Sequence, residues 1–113
     1  MDHTMRFSHL SAPRQALVRL FQSVNFGYIE GLDVRGGEPV FNPAPAVFVE
    51  VKLDSDSEPR PETNLTDFEL RSEVIRLMEQ FEELGNGSIE RIDVRYGVPR
   101  RAVIERPIRE VRR

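Results

Sequence analysis

Residues 27–39 read GYIEGLDVRGGEP and residues 87–99 read GSIERIDVRYGVP, sixty positions apart and without a gap. Eight of the thirteen positions are identical: Gly27/Gly87, Ile29/Ile89, Glu30/Glu90, Asp33/Asp93, Val34/Val94, Arg35/Arg95, Gly37/Gly97 and Pro39/Pro99. Ordinary residue usage gives about one match in such a stretch. The offset also pairs Leu10 with Leu70, Leu17 with Leu77 and Phe21 with Phe81 upstream, and Glu50 with Glu110 and Val51 with Val111 downstream. A repeat at a fixed period governs every later reading of a chain. This one divides the 113 residues into an N-terminal arm (1–9), a first copy (10–53), an acidic connection that includes the start of the second helix (54–69), and a second copy (70–113). A copy of 44 residues is near the limit below which a chain rarely supports its own core, so the two are expected to form one combined domain.

Each copy changes period part-way along. Ser11 before Ala12 and Pro13 reads as a helix start, and Leu17, Leu20, Phe21 and Val24 follow at helical spacing. In the second copy Thr66 and Glu69 have capping-box spacing. Leu70, Val74, Leu77, Met78, Phe81 and Leu84 form the equivalent stripe, with Gly85 as the stop. Alternation of period two then predicts a strand, with Glu30, Leu32 and Val34 on one face and Ile29, Gly31, Asp33 and Arg35 on the other. In the second copy Ile92 and Val94 oppose Arg91, Asp93 and Arg95. Gly36–Gly37 and Tyr96–Gly97 supply hairpin turns, and return strands follow over Glu38–Phe41 and from Val98 to about Glu105. Val47, Val49, Val51 and Leu53 alternate as a third strand or an extended arm, and its counterpart is Pro107–Arg113. The expected fold is α+β: two αββ(β) repeats about a pseudo-two-fold axis, forming a mainly antiparallel sheet with both helices packed on one face.

The stretch Phe26–Gly27, Ile29–Glu30, Val34, Gly37 and Val40, echoed at Asn86–Gly87, Ile89–Glu90, Val94 and Gly97, resembles the small YezD-like bacterial proteins. The resemblance spans roughly 35 residues of each half. It implies a bacterial αββ unit of unknown function, and it brings no chemistry with it.

Candidate sites are few. Asp33/Arg35 and Asp93/Arg95 each place a carboxylate and a guanidinium on one strand face. About a pseudo-dyad they would line one groove able to grip an anionic ligand or a partner; otherwise they are solvated ion pairs worth ~0–1 kcal/mol each. Glu30 and Glu90 match in both copies but lack the partners that acid–base or cation chemistry needs, and they read as strand-head residues. The two histidines, His3 and His9, stand in the arm with no serine elbow to complete a triad. No phosphate loop, dinucleotide fingerprint or metalloprotease motif occurs, and no cofactor or catalytic residue is assigned.

Composition removes further classes. The absence of cysteine excludes disulfides, cysteine-ligated metals and thiol catalysis, and it suits a cytoplasmic setting. No apolar run approaches a membrane span, and the first residues lack the order of a signal peptide. Charge is polarised within the total of −3. Residues 95–113 hold seven arginines against Glu105 and Glu110, a local +5. Of these, Arg100, Arg101, Arg106, Arg109, Arg112 and Arg113 form a candidate nucleic-acid contact. The same end could equally dock on an acidic surface such as Glu79, Glu82 and Glu83. The expected function is a non-enzymatic interaction or structural module that binds a protein partner or itself, as a homodimer, through its sheet edges. Nucleic-acid association is the alternative, and a small anionic ligand between the repeats is a third.

Overall fold

A computed structural model describes residues 5–54 and 65–106. Its elements run α1 (Ala12–Val24), β1 (Phe26–Arg35), β2 (Glu38–Val40), β3 (Ala46–Val49), α2 (Ser72–Leu84), β4 (Gly87–Arg95) and β5 (Val98–Ile104). The arginines Arg109, Arg112 and Arg113, the residue His3 and the expected strand Pro107–Arg113 lie outside the described residues.

Both helices form because one stripe of each is apolar. Leu17, Val18, Phe21 and Val24 of α1 are buried, as are Val74, Leu77, Met78 and Phe81 of α2. The Ser11 hydroxyl accepts the Arg14 N–H at 3.4 Å and caps α1. The chain leaves α1 through Asn25 (φ 63°) and α2 through Gly85 (φ 71°), left-handed residues that turn it sharply into β1 and β4. The second helix differs from its expected start. It begins at Ser72, and the preceding Arg71 makes no side-chain cap, so the start does not fall at a Thr66/Glu69 capping box. Residues 65–69 are used elsewhere.

They hold the N-terminus. The Phe7 N–H donates to the Phe68 carbonyl at 2.8 Å, and the Leu70 N–H donates to the Met5 carbonyl at 2.8 Å. The Phe7 and Phe68 rings stack with centroids 4.9 Å apart, and the Arg19 guanidinium lies 4.4 Å from the Phe7 centroid. Phe7 and Leu10 are buried. His9 serves this turn, its Nδ1 accepting the Arg6 N–H at 3.1 Å. The terminal arm and the end of the acidic connection therefore pack on each other, because each brings one phenylalanine that needs cover.

The sheet is antiparallel throughout, in the order β2-β1-β4-β5. Strand β3 returns to the same edge of β1 as β2, covering its first residues (Gly27↔Val49 to Glu30↔Ala46) while β2 covers its last (Asp33↔Val40 to Arg35↔Glu38). The Phe41–Pro45 segment, with prolines at 43 and 45, interrupts what is one continuous strand, β5, at the other side of the sheet. In the central pair Gly27↔Val94 and Ile29↔Ile92 have counterparts in Val34↔Gly87 and Leu32↔Ile89. Moving each partner sixty places converts one pair into the other. Two turn contacts behave likewise: the Gly37 N–H donates to the Gly85 carbonyl at 2.8 Å, and the Gly97 N–H to the Asn25 carbonyl at 2.9 Å.

One core joins these parts. Ile29, Leu32, Val34, Ile89, Ile92 and Val94 pack in a single cluster with the buried stripes of α1 and α2, which puts both helices on one face of the sheet. The expected face of β1 is corrected by this burial, since Ile29 is fully buried with Leu32 and Val34 and Glu30 is not. Gly31 (φ 73°) explains the shift, because a left-handed residue mid-strand breaks strict alternation. In β4 the same change of phase falls at Glu90, where the register against β5 shifts between Ile89 and Arg91.

The docked N-terminus carries a pH signature. Asp67 accepts from the Arg6 guanidinium and from the Ser8 N–H, each at 2.8 Å, and these bonds hold its carboxyl well below the usual carboxylate range. A carboxyl depressed in the folded state contributes stability above its unfolded pKa of about 4 and loses it as the pH falls further. Wild type is therefore expected to exceed Asp67→Asn in stability by a constant margin above about pH 5. The margin should shrink below about pH 4, as read by urea unfolding of both proteins from pH 7 to pH 2.

Candidate functional site

The sheet face turned away from the helices gathers side chains that no single segment of the sequence brings together. Tyr28 of β1 pairs with Phe48 of β3 on one side and with Asp93 of β4 on the other. Its ring stacks on Phe48 with centroids 4.6 Å apart and planes 16° from parallel. The Arg91 guanidinium sits 3.9 Å from the Tyr28 centroid, and its Nε donates to Asp93 at 2.8 Å. Arg101 of β5 approaches the same carboxylate at 3.9 Å. At the adjoining end Phe26 meets the Tyr96 ring edge-on at 4.8 Å, and Lys52 Nζ lies 5.7 Å from the Phe26 centroid. Phe26, Tyr28, Phe48, Glu50, Arg91, Asp93 and Arg95 line a shallow concavity of about 400 Å³.

Local sequence explains each placement. Cross-strand neighbours on one face stand near enough for rings to stack and for charges to pair. Tyr96 lies in the left-handed region (φ 57°) beside Gly97, as Gly36 and Gly37 do in the first hairpin, and both turns have the positive φ values of a tight two-residue hairpin. Gly27 allows β3 its close approach, since a Cβ there would lie 2.0 Å from the Phe48 carbonyl oxygen.

The two Asp-x-Arg pairs do not converge. Asp93 bonds to Arg91 rather than to Arg95, in the concavity just described. Asp33 and Arg35 line a separate concavity with Asn86, Gly87 and Ser88. Asp33 stands opposite Ser88, and Asp93 is five residues further along β4, a separation of roughly 17 Å along an antiparallel strand. A small anion in one concavity is out of reach of the other pair. Glu30 faces Arg91 across the central pair, and Glu90 is exposed at the bulge of β4. Among the described residues no three of His, Cys, Asp and Glu come together as metal ligands.

The basic C-terminal stretch meets the chain's own acids. Arg100 bonds Glu73 of α2 at 2.8 Å, and Arg106 reaches Gln80 at 2.7 Å and Glu83 at 3.3 Å. Arg101 keeps three-quarters of its side chain exposed. Of the six arginines expected as a nucleic-acid contact, the three described thus divide between α2 and the open face.

Tyr28, Phe48 and Arg91 escaped the sequence reading for a definite reason. The repeat directs attention to shared residues, and these three stand opposite Ser88, Ile108 and Gly31 in the other copy. The signal available was their phase, since Tyr28 falls opposite the apolar positions of its strand. No helix among the described residues is long and apolar enough to cross a membrane. Comparison with protein-family models, with curated proteins and with solved structures found no match. Gly27→Ala is expected to lift β3 from β1 and separate Phe48 from Tyr28, at a cost of about 1–3 kcal/mol from overpacking. Faster hydrogen exchange at the β3 amides, with the remaining sheet still protected, is the reading that checks it.

Proposed function

We propose that the chain is a tandem duplication of one αββ unit folded about a pseudo-two-fold axis, and that it works as a non-enzymatic module binding a protein partner along its free sheet edge. The duplication is supported by helices whose bounds differ by sixty at both ends, and by central pairs and turn contacts that interchange under the same offset. The YezD-like resemblance agrees with a helix–strand–turn–strand order in each half. A reducing, cytoplasmic setting agrees with a chain free of cysteine.

The observation that carries the functional reading is strand β3. All four of its residues are exposed, with Val47 at 42%, Phe48 at 41% and Val49 at 52%. Its outer side pairs with no strand among the described residues. Natural edge strands are blunted by charge, proline or a covering element, because unpaired amides and carbonyls invite another strand. The Ala-Val-Phe-Val run of β3 is short and follows Pro45, but it carries no charge or proline within it and nothing among the described residues pairs with its outer side. A free apolar edge of this kind is what strand addition uses. A photo-crosslinking residue in place of Val49 is expected to capture a protein in intact cells, while the same residue in place of exposed Glu79 on α2 does not. Position 49 giving no adduct overturns the reading.

A second reading, association with single-stranded nucleic acid, is favoured by the open face rather than by the C-terminal arginines. Stacked Tyr28 and Phe48 beside Arg91 and Arg101 combine ring faces with cations, the pairing that such binders use. It predicts a mobility shift of a short oligonucleotide at about 50 mM salt that fades as salt rises and is lost in Tyr28→Ala. A shift unchanged in Tyr28→Ala, or none at all, excludes it.

A further inference from the structure

Resting on the reading of β3 as a binding edge, we propose that its partner is a second copy of this chain, joined antiparallel over residues 49–53 with Val51 on the two-fold axis. The sequence from 46 to 54 is AVFVEVKLD. The Glu50 N–H donates inward to the Phe26 carbonyl at 2.7 Å, so by alternation Val47 and Val49 turn their amides and carbonyls outward, and a partner strand would carry the same alternation past the end of β3 to Val51. Antiparallel addition therefore joins odd residues to odd residues as hydrogen-bonded pairs, which leaves a short set of registers.

Charge selects among them. With Val51 on the axis, Val51 meets the partner's Val51 and Val49 meets the partner's Leu53. Glu50 meets the partner's Lys52, and Lys52 meets the partner's Glu50. Those two ion pairs fall at non-hydrogen-bonded positions, where side chains stand closest. With Glu50 on the axis, two glutamates oppose each other. With Lys52 on the axis, two lysines do, and Glu50 meets the partner's Asp54. With Val49 on the axis both charges lack a counterion, and Pro45 falls opposite the partner's Leu53 at a hydrogen-bonded position where proline has no N–H to give. Of these four registers, the one with Val51 on the axis alone satisfies both the ladder and the charges.

Burial agrees with this occupant. Val49, Val51 and Leu53 are 52%, 69% and 95% exposed, and this register sets them against one another across the axis. Phe48, Glu50 and Lys52 lie on the other face, beside Tyr28 and Phe26. Such a contact is isologous, so it closes as a dimer and does not propagate.

The experiment is a charge swap in the full chain, read by sedimentation equilibrium. Wild type is expected to dimerise at about 200 µM, in the range where small interfaces are populated. Glu50→Lys and Lys52→Glu each place like charges opposite one another twice per dimer, and each should weaken self-association roughly tenfold. An equimolar mixture of the two variants re-forms both ion pairs and should recover wild-type affinity as a heterodimer. Because the chain has no cysteine, Val51→Cys should yield an oxidised dimer, whereas Leu53→Cys, far from its own copy, should not. A monomeric wild type, or a mixture no tighter than either variant alone, overturns the proposal. If wild type is monomeric while position 49 still captures another protein, self-pairing fails and the binding-edge reading stands; no adduct at all removes both.

Discussion

Strands β1 and β4 lie side by side over almost their whole length, which sets Ile29, Leu32 and Val34 next to Ile89, Ile92 and Val94. Neither helix has enough cover without that pairing. The stripe of α1 and the stripe of α2 close over strands from both halves, and a buried aliphatic or aromatic side chain contributes about 1.5–3 kcal/mol only when its neighbours exclude water. A single half would leave its hairpin and helix with one exposed apolar face each, and an isolated hairpin is marginal in water. The helix ends reinforce the same junction, since the carbonyls of Asn25 and Gly85 each hold the hairpin turn of the opposite half.

Two kinds of residue then share the fold between them. Positions alike in both copies (Leu17/Leu77, Phe21/Phe81, Ile29/Ile89, Val34/Val94) are buried and build the core. Outside the core many positions differ, among them Phe26 against Asn86, Tyr28 against Ser88, Gly31 against Arg91 and Gly36 against Tyr96. The rings and the Arg91 guanidinium of the open face are of this second kind. A core tolerates little change because its volume is fixed by close packing, whereas a solvated sheet face constrains only alternation and charge. One interior can therefore carry two unlike surfaces.

The two edges of the sheet also differ. Strand β5 runs unbroken along β4, and Arg100 and Arg106 tie its neighbourhood to Glu73 and Glu83 of α2. On the other side the prolines of 41–45 split the return path, so β2 stops at Val40 and β3 arrives as a short apolar strand with its outer side free. The free edge is thus a consequence of where proline falls.

Much of this was legible in the order of residues. The helices, the hairpin turns at Gly36–Gly37 and Tyr96–Gly97, the strand alternation and the antiparallel α+β class follow from local periodicity and turn chemistry, which act over a few residues. Three things were not. Glu30 and Ile29 exchange faces because Gly31 adopts a left-handed conformation that alternation does not reveal. Phe7 and Phe68 find each other across sixty residues, which turns an arm and a connection into a packed clasp. The Asp-x-Arg pairs match in sequence yet sit in separate concavities, while Tyr28, Phe48 and Arg91, none of them identical between the copies, meet on one surface. The sequence by itself determined what each segment would be, because propensity and pattern are local. Only the tertiary structure decided which side chains share a face, because that depends on the register of strands far apart in the chain.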